Sequence, residues 1–367
     1  MAKDIKVGIA GAARRGTSFF AAFAHNPHTT ITALCDIDEE GLQSAASALS
    51  TEQTYTDYEK MLDRAGIDAV VIATPMHLHA PMSIAALERD ISVLCEVTAG
   101  VSIEECRRVV EARRRSKGIY MMAENWCYIR PNVLVGEIIK AGLLGEVYYG
   151  EGQYVHETKT LQVETPWRRR WHTGVNGNTY CTHPFGPLYQ WFAKERAVSV
   201  CCVGSGHHYL DADGKPFENE DSTVTSCRMS GGGLVTLRLD LVSERPYNLY
   251  LQVQGTKGCY ESPRGLGDTH KIYLKDRHER ETWHPLEELA EEFLPEHWLH
   301  PTELAQKAGH GGGDYMQVLD FVDALINHKE PPIGIYESMD MTLVGLASQI
   351  SIADGSAWTD VPDPRTW

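Results

Sequence analysis

The sequence lacks a CxxC pair, a long apolar run, an internal repeat and any low-complexity segment. Its nine cysteines are an odd number in a chain of 367 residues, which predicts reduced thiols and not a disulfide framework. No stretch is long and apolar enough to span a bilayer, and residues 1–6 contain no apolar part of a secretion signal. We therefore expect a cytoplasmic protein with no membrane partner.

Positive charge is also scarce. The chain has 34 Lys and Arg against 50 Asp and Glu, and its net charge is -16. Because proteins bind nucleic acid largely through Lys and Arg on phosphates, this balance argues against a nucleic-acid partner and favours a small, mostly uncharged substrate. One of the two dense basic runs, residues 168–170, stands between Trp167 and Trp171.

Length and composition indicate a soluble protein of two domains. Hydrophobic residues make up 43% and charged residues 23% of the chain, as in globular proteins. A chain of 367 residues exceeds one ordinary core. The pattern changes near residue 125, so we predict domains over residues 1–124 and 125–367.

The N-terminal residues carry a dinucleotide fingerprint. An apolar strand over residues 5–10 leads through a glycine-rich turn to a helical pattern over residues 18–25. Gly11 would make the tight turn, Ala13 stands where a second glycine usually lets the pyrophosphate approach, and Gly16 would let the helix pack closely on the strand.

Asp36 follows the second apolar run, 25 positions after Gly11. A carboxylate at this place binds the adenosine ribose in such folds, and its charge would repel the 2′-phosphate of NADP. Alternatively, Asp36 caps the helix that begins at Glu39, or Asp38 does so and leaves Asp36 for the ribose.

Two further buried strands end in polar tails. Residues 68–73 lead to Thr74 and Pro75, and residues 91–95 lead to Glu96. Ligands of open parallel sheets bind beyond the carboxyl ends of the strands, so both tails should line the cofactor cleft. The first tail continues to His77 and His79, whose HxH spacing suits a metal, but no third ligand with a recognisable spacing accompanies them.

After residue 125 the chain changes to strands joined by tight turns. Gly231-Gly232-Gly233 and Gly255-Thr256-Lys257-Gly258 read as hairpin turns, which implies an antiparallel sheet. We predict strands over residues 147–155, 198–203, 222–229, 234–242, 249–254 and 271–274, and helices over residues 133–141, 316–326 and 339–353. Residues 283–301 read as irregular, as a surface loop or an oligomer contact.

The loop over residues 176–187 sets two titratable rings, Tyr180 and His183, among turn-forming residues. Thr182 is a candidate helix cap, and Pro184 is tolerated in a first helical turn, so we expect His183 at a helix start. An N-capped helix with an incidental His and Tyr explains the same pattern.

In order and motif, the chain resembles the Gfo/Idh/MocA family of nicotinamide-dependent oxidoreductases. The resemblance implies an N-terminal Rossmann domain and a C-terminal α/β domain with a large, mostly antiparallel open sheet, with NAD between them. Members act on secondary hydroxyls of sugars and cyclitols. The matching residues are the turn from Gly8 to Gly16, Cys35-Asp36-Ile37-Asp38, Ala73-Thr74-Pro75 with His79, Gly142-Leu143-Leu144-Gly145-Glu146-Val147 and Gly255-Thr256-Lys257-Gly258.

One departure from that family is informative. Its members usually carry Glu-Lys-Pro after the fifth strand, with a catalytic lysine, whereas this chain has Glu96-Val97-Thr98. The NAD-dependent glycosidases of glycoside hydrolase family 109 also lack the lysine, although they have proline where Thr98 stands. Further similarities to them are Glu124-Asn125-Trp126-Cys127-Tyr128, Gly152-Gln153-Tyr154-Val155-His156, Asn178-Thr179-Tyr180-Cys181-Thr182-His183, Arg245-Pro246-Tyr247, His310-Gly311-Gly312-Gly313-Asp314-Tyr315 and Ser351-Ile352-Ala353-Asp354-Gly355-Ser356.

This second resemblance implies redox-neutral cleavage of a glycoside. Oxidation at C3 of a pyranoside makes the C2 proton acidic, loss of that proton expels the C1 substituent, water adds, and the hydride returns. Net oxidation of a sugar or glycoside at C3, and noncatalytic sensing of a sugar, are the alternatives. Valine cannot move a proton, so either the protein is inactive or another residue does that work.

Imidazole is the suitable base for removing a hydroxyl proton near neutral pH. We expect His183 in that role and Tyr180 as an acid or an orienting group. His310 is either a third catalytic group or a turn residue, and Tyr247 is either at the site or a buried ring. Tyr154 and His156 alternate on one strand and would form a pocket wall.

The remaining candidates bind substrate or cofactor. Trp167, Arg168, Trp171 and His172 offer ring faces and donors that suit a sugar, although a tryptophan in a core helix would look the same. We expect no metal, and a homo-oligomer, either dimer or tetramer. The residues expected to bind NAD are Gly11, Ala13, Arg15, Gly16, Asp36, Thr74, Pro75, His79, Glu96 and Asn125.

Overall fold

A computed structural model describes residues 4–171, 176–211 and 213–367, and for Trp171 the backbone alone. In its first part, strands and helices alternate. They are β1 (Ile5–Ala10), α1 (Phe20–Ala24), β2 (Thr29–Cys35), α2 (Glu39–Leu49), β3 (Gln53–Tyr55), α3 (Tyr58–Arg64), β4 (Ala69–Ile72), α4 (His79–Leu87), β5 (Ser92–Cys95), α5 (Ile103–Arg115) and β6 (Tyr120–Met122).

The first sheet is parallel throughout and has the order β3-β2-β1-β4-β5-β6. Every residue of β4 and β5 is buried, as expected of strands covered on both faces. The chain crosses from one side of β1 to the other between β3 and β4, which is the arrangement of a Rossmann sheet. The predicted Rossmann domain is confirmed.

The second part of the chain contains more strands and, at its end, two long helices. Its elements are α6 (Arg130–Lys140), β7 (Val147–Val155), α7 (Lys159–Glu164), α8 (Arg168–Trp171), α9 (Thr182–Trp191), β8 (Ala197–Gly204), β9 (Ser222–Met229), β10 (Leu234–Asp240), β11 (Asn248–Gly255), β12 (Gly258–Glu261), β13 (Lys271–Leu274), β14 (His284–Pro285), α10 (Ala290–Phe293), α11 (Glu296–Leu299), α12 (Glu303–Lys307), α13 (Gly313–Asn327), α14 (Ile335–Ala353) and β15 (Thr359–Asp360).

The second sheet has the order β14-β13-β12-β11-β7-β10-β9-β8-β15. The pair β7 and β10 is parallel, and the other neighbouring strands are antiparallel. The predicted large, mostly antiparallel sheet is therefore confirmed. The predicted turns at residues 231–233 and 255–258 lie at the hairpins β9-β10 and β11-β12.

The chain divides into two compact units, and each unit is built from more than one segment of the sequence. The first unit comprises residues up to 128 with residues 302–339 and 364–367, and the second comprises residues 129–301 and 340–363. Helices α12 and α13 thus belong to the same unit as the Rossmann sheet. Within the described part of the chain, no helix has both the length and the apolar character needed to cross a membrane.

Two local expectations were wrong. Thr182 does not cap α9, because the preceding Cys181 already has helical backbone angles and the helix begins at Thr182 without a side-chain cap. Residues 283–301 are not irregular: they form β14, a 3₁₀ turn over Leu286–Leu289, α10 and α11. Pro285 and Pro295 directly precede the turn and α11. Proline is tolerated there because the backbone N–H that it lacks would have no partner within the helix.

Candidate active site

Five predicted site residues meet in the second unit and are called the Tyr-His cluster here: Tyr154, His156, Tyr180, His183 and Tyr247. The ring centroids lie 4.8 Å apart for Tyr180 and His183, 5.1 Å for Tyr154 and His183, and 5.8 Å for Tyr154 and Tyr180. His156 and Tyr247 are 5.2 Å apart. Residues from three separate stretches of sequence therefore form one site.

Two glycines explain why α9 reaches the strand that carries Tyr154. Gly150 and Gly152 lie on the same face of β7 as Tyr154, because side chains alternate along a strand. A Cβ at Gly152 would lie 2.4 Å from the carbonyl oxygen of Pro184, and one at Gly150 would lie 3.0 Å from Leu188. The first turn of α9, with His183, consequently rests directly on the strand.

The rings of the Tyr-His cluster differ in exposure. His183 and Tyr154 are 5% and 6% exposed, whereas Tyr247 is 51% exposed and stands just before β11. The alternative of a buried Tyr247 ring is therefore wrong. Leu239 and Leu241 pack against Tyr154, so the cluster has an apolar base.

Tyr154 and His156 share a face, as predicted, and their side chains are hydrogen-bonded. The Tyr154 hydroxyl lies 2.8 Å from Nδ1 of His156. Burial, followed by the nearby His183 and the positive charge of Arg168, lowers the pKa of His156 below its ordinary value. His156 is therefore a neutral ring at pH 7, held in one orientation by Tyr154.

The structure places the basic run of residues 168–170 near this cluster. The Arg168 guanidinium lies 4.3 Å from the ring centroid of Trp167. Its positive charge is close enough to contribute to the lowered pKa of His156. Both residues are half-buried. The predicted roles of Trp171 and His172 fall on a side chain and a residue outside the described part of the chain.

In the first unit, the glycine turn has the shape that the fingerprint predicts. Gly11 has a φ of 82°, in the left-handed region that favours glycine, and a Cβ there would lie 2.3 Å from the Ala73 carbonyl oxygen. A Cβ at Gly16 would lie 2.6 Å from the Gly11 carbonyl oxygen. The turn is thus a close-packed cradle that side chains would fill.

The two aspartates after β2, Asp36 and Asp38, accept hydrogen bonds from different parts of the chain. Asp38 accepts a hydrogen bond from the Gly41 N–H at 3.1 Å and is the N-cap of α2. Asp36 accepts from the Ala13 N–H at 2.8 Å and the Asp38 N–H at 3.0 Å. Because Asp38 caps the helix, the Asp36 carboxylate is fixed beside the glycine turn with lone pairs left for another donor.

Another group of predicted residues forms an ion network in the first unit: Arg15, Glu96, Asn125, His310 and Asp314. Arg15 Nε donates to Glu96 Oε1 at 2.6 Å, and its Nη1 and Nη2 donate to the two Asp314 oxygens at 2.9 and 2.8 Å. Asn125 Nδ2 donates to Asp314 Oδ1 at 3.1 Å. The network joins the glycine turn to the tails of β5 and β6 and to α13.

Asp314 also holds His310. Nδ1 of His310 lies 2.9 Å from Asp314 Oδ2, and His310 has a φ of 54° in a glycine-rich turn before α13. Burial raises the pKa of Asp314, but hydrogen bonds from His310 and Arg15 outweigh it and hold that pKa well below its ordinary value. His310 is therefore a turn residue with an oriented ring, and it lies in the first unit, unlike the Tyr-His cluster.

The remaining cofactor candidates lie at the tail of β4. Thr74 and Pro75 are partly exposed there, whereas the His79 ring is buried and hydrogen-bonded to main-chain carbonyls. His79 consequently does not present its ring nitrogens to a ligand. Within the described residues, no group of three or more His, Cys, Asp or Glu side chains could hold a metal ion.

These residues fit a dinucleotide. Gly11 and Gly16 let the turn pack as tightly as the dinucleotide fingerprint requires, and Asp36 offers a carboxylate for a ribose diol. The buried Asn125 Oδ1 has no hydrogen-bond partner among the described residues. Glu96 and Arg15 are occupied with each other, so they would shape the site more than bind the ligand.

Comparison with known families decides the relationship. Residues 128–366 match the model described as "Glycosyl hydrolase 109, C-terminal domain", and residues 5–124 match "Oxidoreductase family, NAD-binding Rossmann fold". The chain belongs to the glycosyl hydrolase 109 family. It is an NAD-dependent enzyme of the wider Gfo/Idh/MocA oxidoreductases, and the predicted cofactor, NAD, is confirmed.

Other glycosyl hydrolase 109 members are similar over nearly the whole chain. A family 109 protein of Saccharopolyspora erythraea is 29% identical over 98% of this chain and 83% of its own length, and one of Shewanella woodyi is 28% identical over 98% and 84%. A solved levoglucosan dehydrogenase in complex with NADH and L-sorbose has the same fold, with a TM-score of 0.81, 19% identity and coverage of 98% and 100%.

Two residues that position the site in this glycosyl hydrolase 109 member were not predicted. Asp314 stands four residues after His310, the spacing at which two side chains meet on a helical turn, and that spacing was the available signal. Gly152 gave no comparable signal, because only the tertiary contact with Pro184 explains a glycine in the strand.

Asp36→Ala is expected to reduce the preference for NAD over NADP by about tenfold or more, because it removes the charge that repels a 2′-phosphate. The measurement is the pair of dissociation constants for NAD⁺ and NADP⁺ by calorimetry. Asp38→Ala is the matched control: it removes the cap of α2 and should cost about 1 kcal/mol of stability without changing the ratio. An unchanged ratio in Asp36→Ala would contradict the ribose role.

Proposed function

We propose that the protein cleaves a glycoside by transient oxidation of a pyranoside secondary hydroxyl, at C3, without net consumption of NAD. The observation that carries the proposal is the Tyr-His cluster, which gathers two imidazoles and three phenols in a chain that has Val97 where the wider family carries a lysine. An enzyme without that lysine needs its proton-transfer groups elsewhere, and the cluster supplies them.

In this proposal, bound NAD⁺ supplies the hydride acceptor, and the same hydride returns to the sugar at the end of the cycle. His183 removes the proton of the reacting hydroxyl, because it is buried at a helix start against Tyr154 and Tyr180. Tyr180 orients the sugar or donates a proton.

The neutral ring of His156 would accept a proton at pH 7, as the loss of the C2 proton requires. Tyr154 holds His156 through its hydroxyl. Tyr247, Trp167 and Arg168 supply an exposed ring, a second ring and a cation, which suit the faces and hydroxyl groups of a sugar. Asp314 orients His310, which we assign as a further acid or base.

Net oxidation at C3 is the second candidate, and the fold that the chain shares with levoglucosan dehydrogenase favours it. A noncatalytic sugar sensor is the third, favoured by Val97. One experiment separates the three: the protein is mixed with a panel of nitrophenyl glycosides, with and without NAD⁺, while aglycone release and NADH absorbance are followed together. We expect NAD⁺-dependent aglycone release with no net NADH. Stoichiometric NADH would support the dehydrogenase, and no signal on any glycoside would support the sensor.

We also infer a cytoplasmic homo-oligomer. All nine cysteines are thiols outside any disulfide, which is consistent with a reducing compartment. Val203 on β8 and Val224 on β9 are paired across the second sheet and are 54% and 42% exposed, which suits a face covered by a second copy. Light scattering coupled to gel filtration measures the mass of the particle, and a monomer at micromolar concentration would contradict this inference.

A further inference from the structure

The His79 ring is held between two main-chain carbonyl groups. Nδ1 lies 2.8 Å from the Thr98 oxygen, Nε2 lies 2.8 Å from the Thr74 oxygen, and the residue is 1% exposed. Thr74 follows β4 and Thr98 follows β5, and these strands are parallel neighbours in the first sheet. One buried ring therefore ties together the tails of two strands.

Both partners of this ring accept hydrogen bonds and cannot donate them. A neutral imidazole has one N–H and one lone pair, so in its neutral form one nitrogen would direct a lone pair at a carbonyl oxygen. A buried carbonyl oxygen that faces a lone pair has no hydrogen-bond donor and no water to replace it, and this loss destabilises the folded protein. An imidazolium donates at both nitrogens and satisfies both carbonyls.

The groups around His79 favour its positively charged form. Burial lowers the pKa of His79, but the Cys95 sulfur and the two carbonyls outweigh it and raise that pKa to about 9. The Tyr120 hydroxyl from β6 lies at the same Cys95 sulfur. His77, in the turn before α4, has a lowered pKa because of its burial and then the charge of His79, while Glu105 opposes both.

We propose that His79 is a permanently protonated, buried cation that makes the nicotinamide end of the cofactor site favour the uncharged ring of NADH over the positively charged ring of NAD⁺. Ligands of open parallel sheets bind beyond the carboxyl ends of the strands, where the Thr74 and Thr98 tails lie. The pyrophosphate belongs at the turn after β1 and the adenosine ribose at Asp36 after β2, so the nicotinamide half falls on the side of β4 and β5. Like charges repel strongly in a poorly screened interior. His79 thus acts as a positioning and electrostatic residue from behind the two tails.

This role matters most in an enzyme that must keep its reduced cofactor until the end of each cycle. The proposal itself depends only on the NAD cofactor, and not on whether the sugar is cleaved or oxidised. Its tests therefore use binding and spectroscopy, so that failure of the glycosidase proposal leaves them interpretable.

The first test observes the charge directly. Protein labelled uniformly with ¹³C and ¹⁵N is studied by NMR, and the ring signals of His79, one of 16 histidines, are assigned through bonds from its own backbone resonances. We expect both ring nitrogens to give the shifts of a protonated imidazole from pH 6 to pH 8 and to titrate near pH 9, the value to which the pKa is raised. An unprotonated nitrogen at pH 7 would overturn the proposal, and this test needs no stable variant.

The second test measures the consequence. We expect His79→Gln to reduce the preference for NADH over NAD⁺ by about tenfold, as the ratio of dissociation constants from NADH fluorescence and its displacement by NAD⁺. His77→Gln, two residues away in a half-buried ring, should leave the ratio unchanged. A clamp without an electrostatic role would weaken both forms equally, so an unchanged ratio in folded His79→Gln would overturn the proposal.

Discussion

His183→Ala is expected to lower NAD⁺-dependent aglycone release by about 10² to 10⁴-fold, the usual contribution of a positioned general base. The physical reason is the position of the ring. It is 5% exposed at the start of α9, with the Tyr154 and Tyr180 rings at 5.1 and 4.8 Å. No other imidazole among the described residues stands so close to both phenols.

The measurement combines kcat/KM on the best nitrophenyl glycoside with the dissociation constant for NADH. The residues that fit the dinucleotide all belong to the first unit and His183→Ala removes none of them, so cofactor affinity should stay within about twofold of the wild type. His300→Ala, an exposed histidine of the same unit, is the matched control and should change neither quantity. A near-normal rate in His183→Ala would transfer the role of base to another residue, with His156 next to be tested.

The elements of the fold could be predicted where one physical signal acted alone. Four strands, β1, β7, β9 and β13, have the predicted bounds. Each is an apolar or alternating run between turn residues, and such a pattern marks where a strand begins and ends. Short strands such as Gln53–Tyr55 and Gly258–Glu261 were not predicted. Three or four residues are too few to show a periodic pattern. These residues form strands because they pair with longer neighbouring strands.

The candidate site could be predicted as residues but not as geometry. Motifs selected Tyr154, His156, Tyr180, His183 and Tyr247, and the structure brings all five together. The sequence could not indicate that α9 would begin at Thr182 without a side-chain cap, since the entry of the chain into α9 depends on the loop before it.

Contacts between distant parts of the chain were beyond sequence reasoning. Arg15 and Asp314 are 299 positions apart, yet they are joined by two hydrogen bonds. The first unit therefore draws part of its core from near the C-terminus, which no local pattern indicates. That long-range connection leads to the second large effect that the structure predicts.

Asp314→Asn is expected to destabilise the first unit by about 3 to 5 kcal/mol, because it breaks a buried ion pair and turns an amide N–H₂ toward groups that themselves donate hydrogen bonds. Asp314 is fully buried and accepts from both terminal nitrogens of Arg15, which is itself paired to Glu96. Burial lowers the pKa of Arg15, but Glu96 and Asp314 outweigh it and hold that pKa above its ordinary value. A guanidinium keeps its charge in proteins even without such partners, so Arg15 stays charged in the variant.

Scanning calorimetry should show the melting transition of this unit lowered by roughly 6 to 20 °C, at about 2 to 4 °C per kcal/mol for a unit of this size. Asp323→Asn is the matched control. It removes a carboxylate from the same helix, α13, that pairs with Lys329 while about half exposed, and exposed pairs contribute about 0 to 1 kcal/mol. Equal losses in the two variants would contradict a special role for the network.

The same variant carries a pH signature. Because the folded pKa of Asp314 lies below its unfolded value of 3.8, its contribution to stability is present above that pH and is lost as pH falls below it. The difference in melting temperature between wild type and Asp314→Asn should therefore still be present at pH 5 and shrink below about pH 4. A difference that grew on acidification would mean that the protonated carboxyl, and not the ionised one, is what Arg15 and His310 hold in place.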